Sequence, residues 1–183
     1  MNKGPWQVRS SRRAYADEFI DVKVDQVIGA DRRERTYSTV NLKPGVAVLA
    51  LDSDNSVYLT KQYRYAIDRD STEVVCGGIE EGTDPLAAAK KELREEIGVQ
   101  ASEWTSLGTI DMDSSVIHCP VYLYLATGLT QVGSKQEASE DINYFIVPFK
   151  QAVEMVLNAQ ITQAVSCTLI MRARFQLRGV RTA

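Results

Sequence analysis

The chain has 183 residues, 44% of them hydrophobic and 25% charged, which is the composition of a folded protein with one substantial core and not of a disordered chain. A net charge of -3, from 21 basic and 24 acidic residues, offers no overall positive field to a phosphate backbone and argues against a dedicated nucleic-acid binder. A single histidine, His118, excludes zinc sites built from several histidines, and three cysteines without C-x-x-C spacing read as reduced packing thiols, so any catalysis falls to carboxylates.

The opening "MNKGPWQVRSSRR" has no apolar h-region, and no apolar run approaches the roughly 18 residues needed to span a bilayer. A soluble, unsecreted, cytoplasmic protein without a membrane partner is expected. In "FIDVKVDQV", Ile20, Val22 and Val24 alternate with Asp21, Lys23 and Asp25, the period of a strand with one buried face. "GADRRER" then turns the chain into "TYSTVNL", which predicts an antiparallel hairpin over residues 18–42. "GVAVLAL", from Gly45 to Leu51, is short and continuously apolar, as a strand buried on both faces would be. "DSDN" separates it from "VYLTKQYRY", which predicts a second hairpin.

The stretch "CGGIEEGTDPLAAAKKELREEIGV", from Cys76 to Val99, switches from loop to helix. Asp84 suits an N-cap, Pro85 the first helical position and Gly98 the left-handed stop. Leu86, Ala89, Leu93 and Ile97 form an apolar stripe, and Glu92, Glu95 and Glu96, at i, i+3 and i+4, share a face beside it. Like charges at that spacing cost tenths of a kcal/mol per pair, about 0.2–0.5. Such a trio is either solvated, with Lys90, Lys91 and Arg94 as partners, or it holds a hard cation of the kind that takes carboxylates, water and phosphate oxygens. Gly77, Gly78 and Gly82 permit close backbone approach before the helix, which favours the cation.

Three more strand-like runs follow, "WTSLGTI", "VYLYLAT" and "INYFIVP". Two helices close the chain: "PFKQAVEMVLN", with Phe149, Val153 and Val156 at helical spacing and Pro148 at its start, and "TQAVSCTLIMRARFQLR". Strands, a helix, more strands and then helices read as an α+β fold.

The segment from Gly77 to Val99 resembles the Nudix box, G-x5-E-x7-R-E-U-x-E-E-x-G-U with U aliphatic, in one register. Glu92 and Leu93 take the E-U pair, Glu95 and Glu96 the E-E pair, and Gly98 and Val99 the close. Thr83 stands where the family has Glu and Lys91 where it has Arg, two residues understood to brace loop against helix. Upstream, "QYR" at 62–64 and "EVVCG" at 73–77 are similar to the ADP-ribose pyrophosphatase and nucleotide-sugar branch, which carries E-L-P-A-G.

The resemblance implies a Nudix fold, a mixed β-sheet core sandwiched between helices over residues 43–183, with an N-terminal β-hairpin extension over 1–42 through which this branch forms homodimers. It implies Mg²⁺, with Mn²⁺ as the alternative, bound by Glu92, Glu95, Glu96 and the Cys76 carbonyl; Cys76 as a small packing residue is the competing reading. Glu95 also belongs to the implied catalytic set. Arg64 takes the position that contacts substrate phosphates, with Glu73 beside it on the substrate side; a structural ion pair is the competing reading for Arg64. A glutamate before the last strand serves as base in this branch, which leaves Glu137 and Glu140 of "KQEASEDINYFIV" as candidates or as plain loop charge. His118 lies where the branch often carries a proline-glycine motif, and is expected to be packed or on the surface. Trp6 or Tyr15 could stack on a base, but packing has the better claim. The implied activity is hydrolysis of a nucleoside diphosphate linked to another moiety. The alternatives are a Nudix enzyme for nucleoside triphosphates or dinucleoside polyphosphates, and a sensing module without catalysis.

Overall fold

The computed structural model describes residues 1–133 and 142–179. Along the chain run β1 (Asn2–Lys3), β2 (Trp6–Ala16), β3 (Ile20–Ile28), β4 (Glu34–Leu42), β5 (Gly45–Ala50), β6 (Ser56–Arg64), a 3₁₀ turn (Tyr65–Ile67), β7 (Arg69–Glu73) and β8 (Val75–Gly78). Then come α1 (Pro85–Ile97), β9 (Val99–Asp111), β10 (Ile117–His118), β11 (Pro120–Gln131), β12 (Asn143–Pro148), α2 (Phe149–Leu157) and α3 (Ala164–Leu177). The chain divides into two compact units, Met1–Pro44 with Asp111–Pro120, and Gly45–Ile110 with Val121–Ala183.

The first unit is one sheet in the order β1-β2-β3-β4-β10. β3 and β4 form the hairpin that the Ile20, Val22 and Val24 alternation predicts, in register from Ile20 opposite Leu42 to Ile28 opposite Glu34. β2 adds a long antiparallel partner that the sequence reading did not include, because "WQVRSSRRAYA" has no steady alternation and lies mostly exposed. Its pairing with β3 slips between Val8 and Ser10 and between Arg13 and Tyr15, the irregularities that let a polar strand follow a twisted neighbour. Trp6 packs edge-on to Tyr37 with centroids 5.0 Å apart and lies beneath the Arg35 guanidinium at 5.5 Å, which satisfies the packing role. Tyr15 is exposed and donates to Asp17 at 3.0 Å. His118 is exposed in β10, opposite Asn41.

The second unit has a four-stranded sheet, β8-β5-β11-β9, and a three-stranded sheet, β12-β6-β7. The expected hairpin of residues 45–51 with 57–65 does not form. β5 pairs with β8 and β11, β6 pairs with β7 and β12, and the two meet only at a bridge between Leu51 and Val57. Each run is apolar enough to sit centrally, so both edges of each are taken by other strands and the chain crosses between sheets at "DSDN".

Val46, Val48 and Ala50 of β5 pack with Ala89, Leu93 and Ile97 of α1 in the main core cluster. Ala47 and Leu49, the alternate residues, are also fully buried, and α3 packs on the same strand. Burying a leucine such as Leu93 contributes about 1.5–3 kcal/mol. α2 buries Phe149, Ala152 and Val153 and packs on α3, β6 and β12. Pro148 serves as its N-cap position, one residue earlier than a first-turn proline.

Candidate functional site

The caps of α1 fix where the helix starts and stops, and its buried apolar stripe fixes which way the acids face. The Asp84 carboxylate accepts from the Leu86 and Ala87 amides at 3.0 and 3.1 Å, and Gly98 closes the helix at φ 68°. With Leu93 and Ile97 fully inward, the three glutamates are not equivalent members of one face. Glu96 adjoins Ile97 and is drawn to 3% exposure, while Glu92 and Glu95 are half-buried at the rim.

The glycine loop meets this helix at two points. A Cβ built on Gly77 would overlap Cγ, Cδ and Oε1 of Glu92, so only glycine lets the backbone lie against that carboxylate. One residue earlier, the Cys76 amide donates to Glu96 Oε1 at 3.4 Å. Glu95 forms an ion pair with Lys91 at 3.4 Å, so the lysine that replaces the family arginine holds a rim acid. Thr83 is exposed, and its amide donates to the Glu80 carbonyl at 3.0 Å.

Beyond Cys76, Glu73 is 1% exposed, and Arg64 grips it with both arms of the fork, Nε to Oε1 at 3.0 Å and Nη2 to Oε2 at 2.6 Å. A buried carboxylate needs such a partner. Glu73 raises the Arg64 pKa further, against partial burial of the guanidinium. Desolvation pushes the Cys76 thiol well above its usual range; Glu96 and then Glu73 add to the shift and Arg64 opposes it. Glu73, Cys76, Glu96 and Arg64 therefore lie within electrostatic reach of one another. Arg64 and Glu73 line a cleft of about 390 Å³ with Ile67, Arg69, Ser71, Thr162 and Gln163.

Among the described residues no three His, Cys, Asp or Glu side chains converge as a finished ion cage. The donor set nevertheless fits a hard divalent cation in kind, since it offers carboxylate and carbonyl oxygens with the Glu92 carboxylate seated against glycine backbone. Glu137 and Glu140 lie outside the described residues. Arg69, Ser71, Thr162 and Gln163 carry no motif and were not expected. Gln163 was detectable only as the polar residue just before α3, and glutamine is not among the preferred caps.

The NUDIX domain model matches residues 41–165, more than half of the chain. The chain belongs to the Nudix family. Its matched region includes the capped helix, the glycine loop and the Arg64–Glu73 pair, and the protein is a Nudix hydrolase. It is 28% identical to an ADP-ribose pyrophosphatase of Mycobacterium tuberculosis over 169 residues, covering 91% of this chain and 82% of the relative. Another ADP-ribose pyrophosphatase, from Bacillus subtilis, is 25% identical over 157 residues, 85% of each chain. A crystal structure of an ADP compounds hydrolase superposes with a TM-score of 0.83 at 18% identity, covering 95% of both chains, which establishes the shared Nudix fold. Nudix hydrolases generally use divalent metal ions. No helix of the described residues is long and apolar enough to cross a membrane.

Proposed function

We propose that this Nudix hydrolase cleaves the diphosphate bond of a nucleoside diphosphate linked to another moiety, ADP-ribose or a nucleotide sugar, in a magnesium-dependent reaction for which manganese is the alternative. The observation that carries the reading is the continuity from the α1 acids through Cys76 and Glu73 to the Arg64 fork, which puts oxygen donors for a cation next to a cationic cleft. The two ADP-ribose pyrophosphatases it resembles over most of their length support the substrate class.

Glu92, Glu95, Glu96 and the Cys76 carbonyl would hold the cation, which when bound neutralises a diphosphate and makes water a better nucleophile. Arg64 spends Nε and one Nη2 hydrogen on Glu73 and keeps its remaining N–H groups for phosphoryl oxygens. Glu73 holds that guanidinium in place. Glu137 or Glu140 accepts the proton of the attacking water, a role typically contributing about 10²- to 10⁴-fold. Water oxygen bonds to one phosphorus, the bridging P–O bond breaks, and two monophosphates leave. From ADP-ribose these are AMP and ribose 5-phosphate.

The protein acts in the cytoplasm as a homodimer, with residues 1–42 supplying the dimer contacts. Residues 43–183 form the hydrolase domain. Sedimentation velocity should therefore give a particle of two chains, and a monomer at micromolar concentration would remove the dimer.

A Mg²⁺-dependent hydrolysis screen over ADP-ribose, nucleotide sugars, nucleoside triphosphates and dinucleoside polyphosphates tests the reading. ADP-ribose or a nucleotide sugar should be turned over, and Glu96→Gln should lower kcat by on the order of 10³-fold with the fold intact. Full turnover by Glu96→Gln at saturating Mg²⁺ would refute the assignment. Turnover confined to triphosphates or dinucleoside polyphosphates moves the protein to another Nudix substrate class, and binding without turnover makes it a sensor.

A further inference from the structure

The peptide link between β7 and β8 is where the chain leaves one sheet of the second unit for the other, and its polar groups are met by side chains from elsewhere. Thr60 Oγ1 donates to the carbonyls of Glu73 and Val74 at 3.3 and 3.4 Å, and the Val74 amide donates to Ser166 Oγ at 3.0 Å. Ser166 is fully buried in the first turn of α3. Its hydroxyl donates in turn to Gln163 Oε1 at 2.5 Å, and the Ser166 amide donates to the same oxygen at 2.7 Å.

These bonds leave Gln163 one orientation. A backbone N–H can only donate, so the oxygen of the Gln163 amide must face Ser166 and the NH₂ must face away. Ser166 has a single hydroxyl proton, and because Oγ accepts from Val74 that proton goes to Gln163. The Gln163 Nε2 is thus held toward Cys76, where the acceptor is the thiol sulfur at 4.0 Å, a weak partner. Gln163 also lines the cleft that contains Arg64 and Arg69. Arg69 Nη2 donates to Thr162 Oγ1 at 3.1 Å, which ties the segment before α3 to β7.

We infer that Gln163 is a substrate-contacting residue: its Nε2, oriented by Ser166, donates a hydrogen bond to an oxygen of the anionic diphosphate compound bound in the Arg64 cleft. The inference rests on the reading of that cleft as the substrate site and adds a residue that no motif marks. Ser166 is the positioning residue, since its hydroxyl ties Gln163 to the segment that carries Glu73 and Cys76. The neutral amide complements the two arginines. It selects for an oxygen acceptor at a set place without adding charge, where a third cation would bind any anion.

Gln163→Ser is the informative variant. Serine is a preferred N-cap and can accept from the Ser166 amide, so the helix start is kept while the Nε2 donor is lost without a change of charge. The expected result is a melting temperature within about 2 °C of wild type, KM for the hydrolysed substrate raised about 3- to 10-fold, and kcat within twofold, the scale of one neutral hydrogen bond. Isothermal titration with inorganic pyrophosphate and Mg²⁺ should show the same weakening in Kd. If Gln163 only caps α3, both KM and Kd stay at the wild-type value, which overturns the inference. Wild-type protein that does not bind pyrophosphate at millimolar concentration overturns it as well. If the wild type hydrolyses none of the substrate panel but Gln163→Ser still weakens pyrophosphate binding, the Gln163 contact stands and the hydrolytic reading fails.

Discussion

The two units of this chain handle a buried carboxylate in different settings. In the N-terminal unit the buried side chains are Val27, Cys119 and Asp25, and the five-stranded sheet leaves most of its residues exposed. The second unit fully encloses Leu49, Leu59, Leu93, Leu123, Leu169 and Ile170. The carboxylates follow suit. Asp25 meets one amine, Lys3 Nζ at 3.1 Å, on a side chain that keeps 56% of its surface in water, whereas Glu73 is held by two arms of Arg64, whose side chain keeps 39%. A half-exposed single ion pair contributes about 0–1 kcal/mol, and a forked pair on a nearly dry acid contributes more. A sheet with little apolar burial is stabilised mostly by its backbone ladder and is marginal alone. The proposed dimer contacts would cover such a sheet, and the proposed chemistry would draw on the unit whose core holds a dry acid in place.

The sharpest break in the comparison is Gly77→Ala. Its Cβ would displace the Glu92 carboxylate, so kcat for the hydrolysed substrate should fall on the order of 10²-fold, with a stability loss of about 1–3 kcal/mol. An alanine variant of unchanged activity would mean that contact between loop and acid is immaterial. Next is Arg64→Ala, which strands Glu73 in a dry site. Removing one partner of a buried pair costs about 3–5 kcal/mol, and the partial exposure of Arg64 reduces the expectation to about 2–3 kcal/mol, read from urea unfolding. Lys3→Ala should cost less than about 1 kcal/mol, because Lys3 is mostly solvated. Equal losses from the two substitutions would erase the distinction between the units.

Acid titration sharpens it. The Ser11 hydroxyl, followed by Lys3, holds the Asp25 carboxyl below its ordinary value of 3.8, against burial. Because the folded value is the lower one, ionised Asp25 stabilises the N-terminal unit above about pH 3.8, and that contribution is lost as pH falls through the folded value. Trp6 fluorescence in a Trp104→Phe background should report this loss, and Asp25→Asn should remove it. The smallest effect concerns thiol chemistry. Desolvation raises Cys76, Cys119 and Cys167, and Cys76 the most, so native protein at pH 8 should react with iodoacetamide more slowly than urea-unfolded protein, with Cys76 slowest by peptide mapping.

What could be read in advance tracks how local each cause is. Asp84, Pro85, Gly98 and the spacing of Ala89, Leu93 and Ile97 define α1 within fifteen residues, and the helix forms where they say. The β3–β4 hairpin is equally local. β1 and β10 leave no mark in the sequence because two residues carry no period, and β2 leaves none because its polar residues follow no alternation. The mispaired hairpin of residues 45–51 with 57–65 shows a different limit: apolar runs announce strands but do not name their neighbours.

By itself the sequence determined the α+β class and the capped helix with its three glutamates behind a glycine-rich loop, because helix period, capping and glycine's missing Cβ act over a few residues; that Gly77 lies against Glu92 came from the packing of loop on helix. Tertiary structure alone decided that Glu96 is dry while Glu92 and Glu95 stay at the rim, that Glu73 is locked by Arg64, and that Gln163 reaches the same cleft from 87 residues beyond Cys76. Burial and hydrogen-bond partners depend on which elements pack together, and that is settled by the whole core at once.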